Sequence, residues 1–267
     1  MPTNDYPTVD ALVPAKVFAK AVSVGEGKAS IPPLRAFVLA CLAGFFIGMG
    51  GMFMLLVKSD AALSFTPSAL LGGFAFSLGL FAVLVAGAEL FTGNNLMLLG
   101  CLEGRYSATA LLRSWCLVYL GNLVGSLLLA VILVLANFGG MNGGAVSEVA
   151  VSVAVAKCSL PPLSAFFRGI MCNVLVCLAV WMGFAGKTVV DKFLAAAMPV
   201  MGFVACGFEH CIANMFFLPY GLMLSGGSAV TMGAICVNIL VVTLGNMVGG
   251  ALLLGGAYWL AFGRNDA

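Results

Sequence analysis

Two short stretches, each deep inside apolar sequence, carry the same pattern of glycine, carboxylate and asparagine. Residues 87–94 read Gly-Ala-Glu-Leu-Phe-Thr-Gly-Asn, and residues 207–214 read Gly-Phe-Glu-His-Cys-Ile-Ala-Asn. Gly87 aligns with Gly207, Glu89 with Glu209, Asn94 with Asn214, and small Gly93 with small Ala213. A second echo follows each copy, Gly121-Asn122-Leu123-Val124-Gly125 and Gly245-Asn246-Met247-Val248-Gly249. The nearly equal spacing marks an internal repeat of about half the chain. A carboxylate at membrane depth is expensive unless it is paired or faces water. A chain that makes this arrangement twice is expected to interrupt a helix at each copy, near the bilayer midplane, as transporters built from two repeats do.

Composition supports the membrane setting. Of 267 residues, 62% are hydrophobic and 8% charged, and the mean hydropathy is +1.13. A soluble domain carries roughly a quarter charged residues, so lipid is the expected solvent. A formal charge of +2 is too small to point to nucleic acid. Residues 1–30 hold Asp5, Asp10 and Glu26 and no long apolar run, so no cleavable signal peptide is expected. The nine cysteines form no CxxC pair and lie mostly in apolar runs. They read as small hydrophobes, with no metal or cofactor expected.

The apolar runs predict six spans, at about 34–57, 68–103 with a break at 89–94, 108–137, 164–184, 193–224 with a break at 209–214, and 229–262. A short segment at 149–156 follows the glycine-rich loop 139–144 and precedes Lys157 and the breaker Pro161-Pro162. The expected fold is an all-α membrane protein of six transmembrane helices in an inverted repeat with two broken helices. Repeat one covers about 31–140 and repeat two about 150–263. With the N-terminus inside, Lys16, Lys20, Lys28, Arg35, Arg105, Arg113, Lys187, Lys192 and Arg264 are cytoplasmic, and three of the 12 basic residues, Lys58, Lys157 and Arg168, are left outside or within the membrane. Both termini are then cytoplasmic, in an inner (plasma) membrane. Residues 1–30 form a cytoplasmic segment in which Val13, Val17, Phe18, Ala21 and Val22 share one helical face beside Lys16 and Lys20. That pattern predicts a short interfacial helix, either a passive anchor or a movable lid. Pairs of glycines four apart, such as Gly121/Gly125, predict close helix packing.

Polar groups inside the apolar runs are the informative ones. Glu89 and Glu209 sit where the broken helices end and are expected to cap the open backbone N–H groups there, with proton shuttling as the alternative. His210 is the chain's single histidine, at a position where repeat one has Leu90. This departure from symmetry is where function is expected, because imidazole changes charge near neutral pH. Thr92, opposite Ile212 in the repeat, offers a hydroxyl to a small anion or to His210. Lys157 is either a snorkelling interface residue or a fixed charge that attracts anions. Asn173 is expected to be hydrogen-bonded and to line a pore. One histidine without a ligand-spaced cysteine cluster makes zinc or haem unexpected.

The chain resembles the formate/nitrite transporter family, and within it the formate channel branch. The resemblance rests on Gly72-Gly73-Phe74-Ala75-Phe76-Ser77-Leu78-Gly79-Leu80, Glu89-Leu90-Phe91-Thr92, the run Cys172 to Met182, and Gly207-Phe208-Glu209-His210-Cys211-Ile212-Ala213-Asn214-Met215-Phe216, continuing through Pro219 to Gly221. It covers about residues 10–262. The nitrite branch typically has Tyr at the place of Phe208 and lacks the Met215-Phe216 to Pro219 run. The resemblance implies an aquaporin-like protomer, a homopentamer with one pore per protomer, and passage of small monovalent anions such as formate, nitrite, acetate, lactate or hydrosulfide. It implies a central site of His210 and Thr92 with Lys157 and Asn173 nearby. It also implies apolar constrictions from Phe76, Leu80, Leu90, Phe91, Val176 and Phe203. The link Ser225–Ser228 is shorter than formate channels can carry.

Two mechanisms are compatible with these expectations. A protonated His210 hands its proton to the anion, which passes the apolar gates as neutral acid and makes flux pH-dependent. Alternatively, a neutral His210 acts only as a hydrogen-bond donor. An aquaporin-type channel is disfavoured because neither break contains Asn-Pro-Ala, and an enzyme because no nucleophile–base pair is present.

Overall fold

A computed structural model describes residues 11–263. The described chain is all helix and loop. In lipid every backbone N–H and C=O must find a partner within the protein, and the helix achieves this within one segment. Five helical stretches are long and apolar enough to cross a bilayer: Pro33–Lys58, Phe65–Gly87, Ala108–Leu135, Pro162–Ala185 and Met232–Phe262, with mean hydropathies of 2.0 to 2.4. At most half of each stretch is buried within the chain, so their outer faces are apolar and open to lipid or to other subunits.

The helices, in chain order, are α1 (Pro14–Ala29), α2 (Pro33–Lys58), α3 (Phe65–Ala82), α4 (Leu98–Leu102), α5 (Ala108–Leu135), α6 (Ala145–Cys158), α7 (Pro162–Ala185), α8 (Val189–Ala205), α9 (Cys211–Leu224), α10 (Met232–Met247) and α11 (Gly256–Phe262). Two π-helical turns, Val83–Gly87 and Val248–Gly255, extend α3 and join α10 to α11. The segment expected at 149–156 is longer than its apolar core and forms the 14-residue α6, which carries Lys157 in its last turn. The expected fifth span is divided between α8, of 17 residues, and α9, of 14 residues.

Helix packing follows the small residues. A side chain on Gly125 would meet the Cys41 carbonyl oxygen at 1.8 Å, and one on Gly249 would meet the Ile170 carbonyl oxygen at 2.1 Å. These equivalent glycines let α5 close on α2 and the π turn Val248–Gly255 close on α7, backbone against backbone. The expected face of α1 is buried at Val17, Phe18, Ala21 and Val22, whereas Val13 is exposed. That face packs on protein: α1 lies beside α4, α5, α7 and α11. Lys20 Nζ donates to the Phe184 carbonyl at 2.9 Å, and the Leu12 N–H donates to the Ala185 carbonyl at 3.1 Å.

Candidate functional site

The two interruptions are built from equivalent parts. Each begins at a left-handed glycine, Gly87 with φ 84° and Gly207 with φ 67°. A side chain is disfavoured there, so the chain can turn sharply at the helix end. Each glutamate's N–H then reaches a neighbouring helix, Glu89 to the Leu39 carbonyl at 3.2 Å and Glu209 to the Arg168 carbonyl at 3.3 Å.

A buried asparagine from elsewhere locks each break. Asn122 donates to the carbonyls of Ala40 and Glu89 at 2.8 and 2.9 Å and accepts from the Phe91 N–H at 2.9 Å. Asn246 donates to the carbonyls of Gly169 and Glu209 at 2.7 and 2.9 Å and accepts from the Cys211 N–H at 2.9 Å. A break exposes backbone groups that lipid cannot satisfy, and each amide satisfies two of them while tying the break to a carbonyl of a neighbouring helix. These asparagines stand in the second sequence echo, beside the glycines whose spacing marks it.

The buried carboxylates are paired with side chains. Glu89 takes Lys28 Nζ on both oxygens at 2.8 Å and Asn94 Nδ2 at 2.7 Å, and Lys28 also reaches Asn94 Oδ1 at 2.8 Å. Glu209 takes Lys157 Nζ at 2.9 Å and Asn214 Nδ2 at 2.7 Å. The oxygens meet ammonium and amide groups where the sequence pointed to backbone N–H groups. Lys28 arrives from α1, 61 positions before its partner. No local pattern signals that pairing.

The copies differ where they face each other. His210 is the N-cap of α9, and its Nδ1 accepts from the Ala213 N–H at 3.1 Å. That bond assigns the ring proton to Nε2 in the neutral imidazole. Nε2–H then donates to Thr92 Oγ1, 3.0 Å away. The structure thus brings the two central candidates into contact, with His210 2% and Thr92 0% exposed. The His210 ring stacks on Phe203 with centroids 5.9 Å apart.

A line of three cavities runs past His210, while Thr92, behind it, borders none of them. A vestibule of about 580 Å³ is lined by Lys28, Arg35, Glu89, Leu80 and Leu90, among others. A second vestibule, of about 270 Å³, is lined by Lys157, Glu209, Phe76, Phe203 and His210, among others. Between them lies a space of about 10 Å³ bounded by Ile47, Phe76, Leu80, Leu90, Val176, Val200, Phe203 and His210. Phe76, Phe203 and His210 border the small space and the Lys157 vestibule, while Leu80 and Leu90 border it and the Lys28 vestibule. Apolar walls therefore stand on both sides of the imidazole.

The remaining candidates lie behind these walls. Phe91 is packed edge-on against Trp115 and Tyr119, with centroids 6.1 and 5.0 Å away. It is not among the residues bordering the three cavities. Asn173 is fully buried on α7, and its Nδ2 faces the carbonyls of Asn246 (2.8 Å) and Thr92 (3.3 Å) and Asn95 Oδ1 (3.1 Å). One turn along α7, Cys177 Sγ donates to the same Thr92 carbonyl at 3.3 Å. Both side chains hold the loop that presents Thr92.

Residues 15–260 match the family model described as formate/nitrite transporter. The chain belongs to the formate/nitrite transporter family. It is 36% identical over 275 residues to the formate channel FocA of Escherichia coli K12, covering 96% of each protein. It is also 36% identical over 231 residues to the nitrite transporter NirC of the same strain, covering 86% of this chain and 84% of NirC. Among solved structures it resembles a pentameric formate channel with formate bound, with a TM-score of 0.78 and 36% identity over 87% of this chain and 98% of that one. Members of the formate/nitrite transporter family are transport proteins rather than enzymes, and this member is an integral membrane protein.

Proposed function

We propose that the chain is a channel for formate and similar small monovalent anions, nitrite among them. Its protomer is read as a six-span, aquaporin-like inverted repeat, with residues 31–267 as the channel domain and 1–30 as a cytoplasmic segment. Five such protomers, each with its own passage, are proposed to assemble in the plasma membrane with both termini cytoplasmic. The similarity to a pentameric formate channel supports the assembly, and the basic-residue count supports the orientation. The Lys157 vestibule then opens outward and the Lys28 vestibule inward.

The observation that carries this reading is the His210–Thr92 contact at 3.0 Å, made by the imidazole that borders the apolar constriction. Desolvating a bare anion is expensive, so a dry passage needs hydrogen-bond donors at its narrowest point. Nε2–H is one. The Thr92 hydroxyl, accepting from His210, keeps its own proton as a second. A carboxylate or nitrite inserted between them receives both. Lys157 raises the local anion concentration at the outer approach.

The Ala213 N–H bond favours the version with neutral His210. A proton on Nδ1 would set one donor against another at the first turn of α9. In this reading the anion passes as such, and imidazole titration does not set the pH dependence of flux.

His210→Asn tests the reading. Asparagine caps a helix N-terminus and offers N–H groups, but it does not titrate. Purified protein in liposomes is expected to take up labelled formate with His210→Asn retaining the parent's pH profile. A flattened profile would restore the proton-relay version. Absence of both formate and nitrite uptake in the parent would overturn the channel assignment.

A further inference from the structure

Three basic residues fall on the sparsely charged side of the chain, at positions 58, 157 and 168. They come from three different helices and converge on one cavity, the Lys157 vestibule of about 270 Å³. Its lining contains one carboxylate, Glu209. Both Glu209 oxygens are already taken, by Lys157 and Asn214. Among the described residues Lys58 has no carboxylate partner. Arg168 reaches only the Gly207 carbonyl, through Nη1 at 3.3 Å. Lys157 gives Glu209 one hydrogen bond, and its ammonium lies 5.7 Å from the centre of the Phe217 ring.

This placement is built into the packing. The Lys58 stem crosses α3 at Gly72, where a Cβ would sit 3.5 Å from Lys58 Cε. That distance is ordinary van der Waals contact, so the stem lies packed along α3. Lys58 and Lys157 are near enough to act on each other electrostatically, and like charges facing one low-dielectric cavity repel. An anion between them turns that repulsion into attraction. The other vestibule carries a smaller excess: Lys28 spends all three ammonium donors on Glu89 and Asn94, which leaves Arg35 as its one cation without a carboxylate partner among the described residues, against Lys58 and Arg168 here.

We propose that Lys58 and Arg168 complete, with Lys157, a second anion subsite in this vestibule, which holds a small carboxylate or inorganic oxyanion ahead of the Phe76/Phe203 wall. The planar guanidinium suits a two-oxygen ligand, and the ammonium groups complete its charge. The subsite rests on the channel reading only for the identity of its cargo. It makes the passage asymmetric, with capture stronger from the Lys157 side.

The test uses full-length protein carrying Ala156→Cys, an exposed position in the vestibule lining. The rates at which this thiol reacts with a negatively and a positively charged thiosulfonate are compared, with and without Lys58→Gln and Arg168→Gln. The parent is expected to favour the anionic reagent, and the double substitution to reduce that preference on the order of tenfold. Lys58→Arg is expected to retain it. Should the double variant fail to fold, each single variant is expected to lose part of the preference. An unchanged ratio overturns the subsite. Rates are taken both in maltoside micelles, which carry no phosphate, and in bilayers. A preference present in micelles and lost in bilayers means that lipid headgroups fill the site, and also overturns it. A protein that shows the expected ratio but carries no formate or nitrite leaves the subsite standing and removes the channel reading.

Discussion

The two breaks share a scaffold and diverge downstream of it. Each has a left-handed glycine, a buried glutamate paired with a lysine, and an asparagine locking three backbone groups. Beyond that point the second break enters the 14-residue α9 at once, with His210 as its cap. The first break passes through a turn into the five-residue 3₁₀ segment Gly93–Met97 and then the five-residue α4. A long helix satisfies its own backbone and needs little outside help. A short, tight one must be held by neighbours. Duplication thus supplies the means of breaking a helix in lipid twice, and the proposed site sits where the copies diverge: Leu90 against His210, and Thr92 against Ile212.

The strongest way to break this comparison is to remove the locks one at a time. Asn122→Leu leaves the Glu89 carbonyl and the Phe91 N–H without their partner, and Asn246→Leu does the same to the Glu209 carbonyl and the Cys211 N–H, while the Ala40 and Gly169 carbonyls keep their helical bonds. Each buried orphan costs about 1 kcal/mol or more, so each variant is expected to lose about 2 kcal/mol in equilibrium unfolding from mixed micelles. The two losses should agree to within about 1 kcal/mol. A variant that unfolds like the parent would show its lock to be dispensable and the shared scaffold to be only apparent.

The lysines sharpen the comparison at a smaller scale. Lys28 serves both Glu89 and Asn94, whereas Lys157 serves Glu209 alone. Both side chains are partly exposed, at 23% and 16%, so solvent weakens each pair. Lys28→Met is expected to cost about 2 kcal/mol and Lys157→Met about 1 kcal/mol, because the first also strips a partner from Asn94 Oδ1. Formate uptake from the Lys157 side is expected to respond in the opposite order, falling more for Lys157→Met. If Lys157→Met proves the more destabilising and the less damaging to uptake, the division between a structural and a capturing lysine is wrong.

Much of this architecture is legible in the chain itself. Apolar runs mark α2, α5 and α7 to within about two residues, because a membrane helix must stay apolar along its length. The repeat marks both breaks, and the loss of symmetry at His210 and Thr92 marks the pair that meets. The hidden features depend on distance along the chain. Lys28 reads as one more cytoplasmic charge, since nothing near it in sequence announces Glu89. Asn122 and Asn246 are inside the second echo, yet glycine spacing explains that echo well enough to hide them. Phe91 sits among gate residues in sequence, but its ring direction is set by the turn at 91–92, which puts it against Trp115 and Tyr119.

The finest test concerns how the first break, lacking a long helix, keeps Thr92 in place. Asn173 and Cys177 both hold the Thr92 carbonyl, at 3.3 Å each. Ile212, at the equivalent position, lies inside α9 and needs no such hold. Thiol donors are weak, so Cys177→Ala is expected to change stability by only about 0.5 kcal/mol. Looser placement of the Thr92 hydroxyl is expected to show as a rise of about twofold in half-saturating formate, since a displaced donor loses part of its bond to the anion. Cys177→Ser keeps a donor at the same place and is expected to restore the parent value. Rescue by serine separates positioning from packing: two variants with the same raised half-saturation would assign Cys177 to packing alone, and the first break would then be held by Asn173 without a second support.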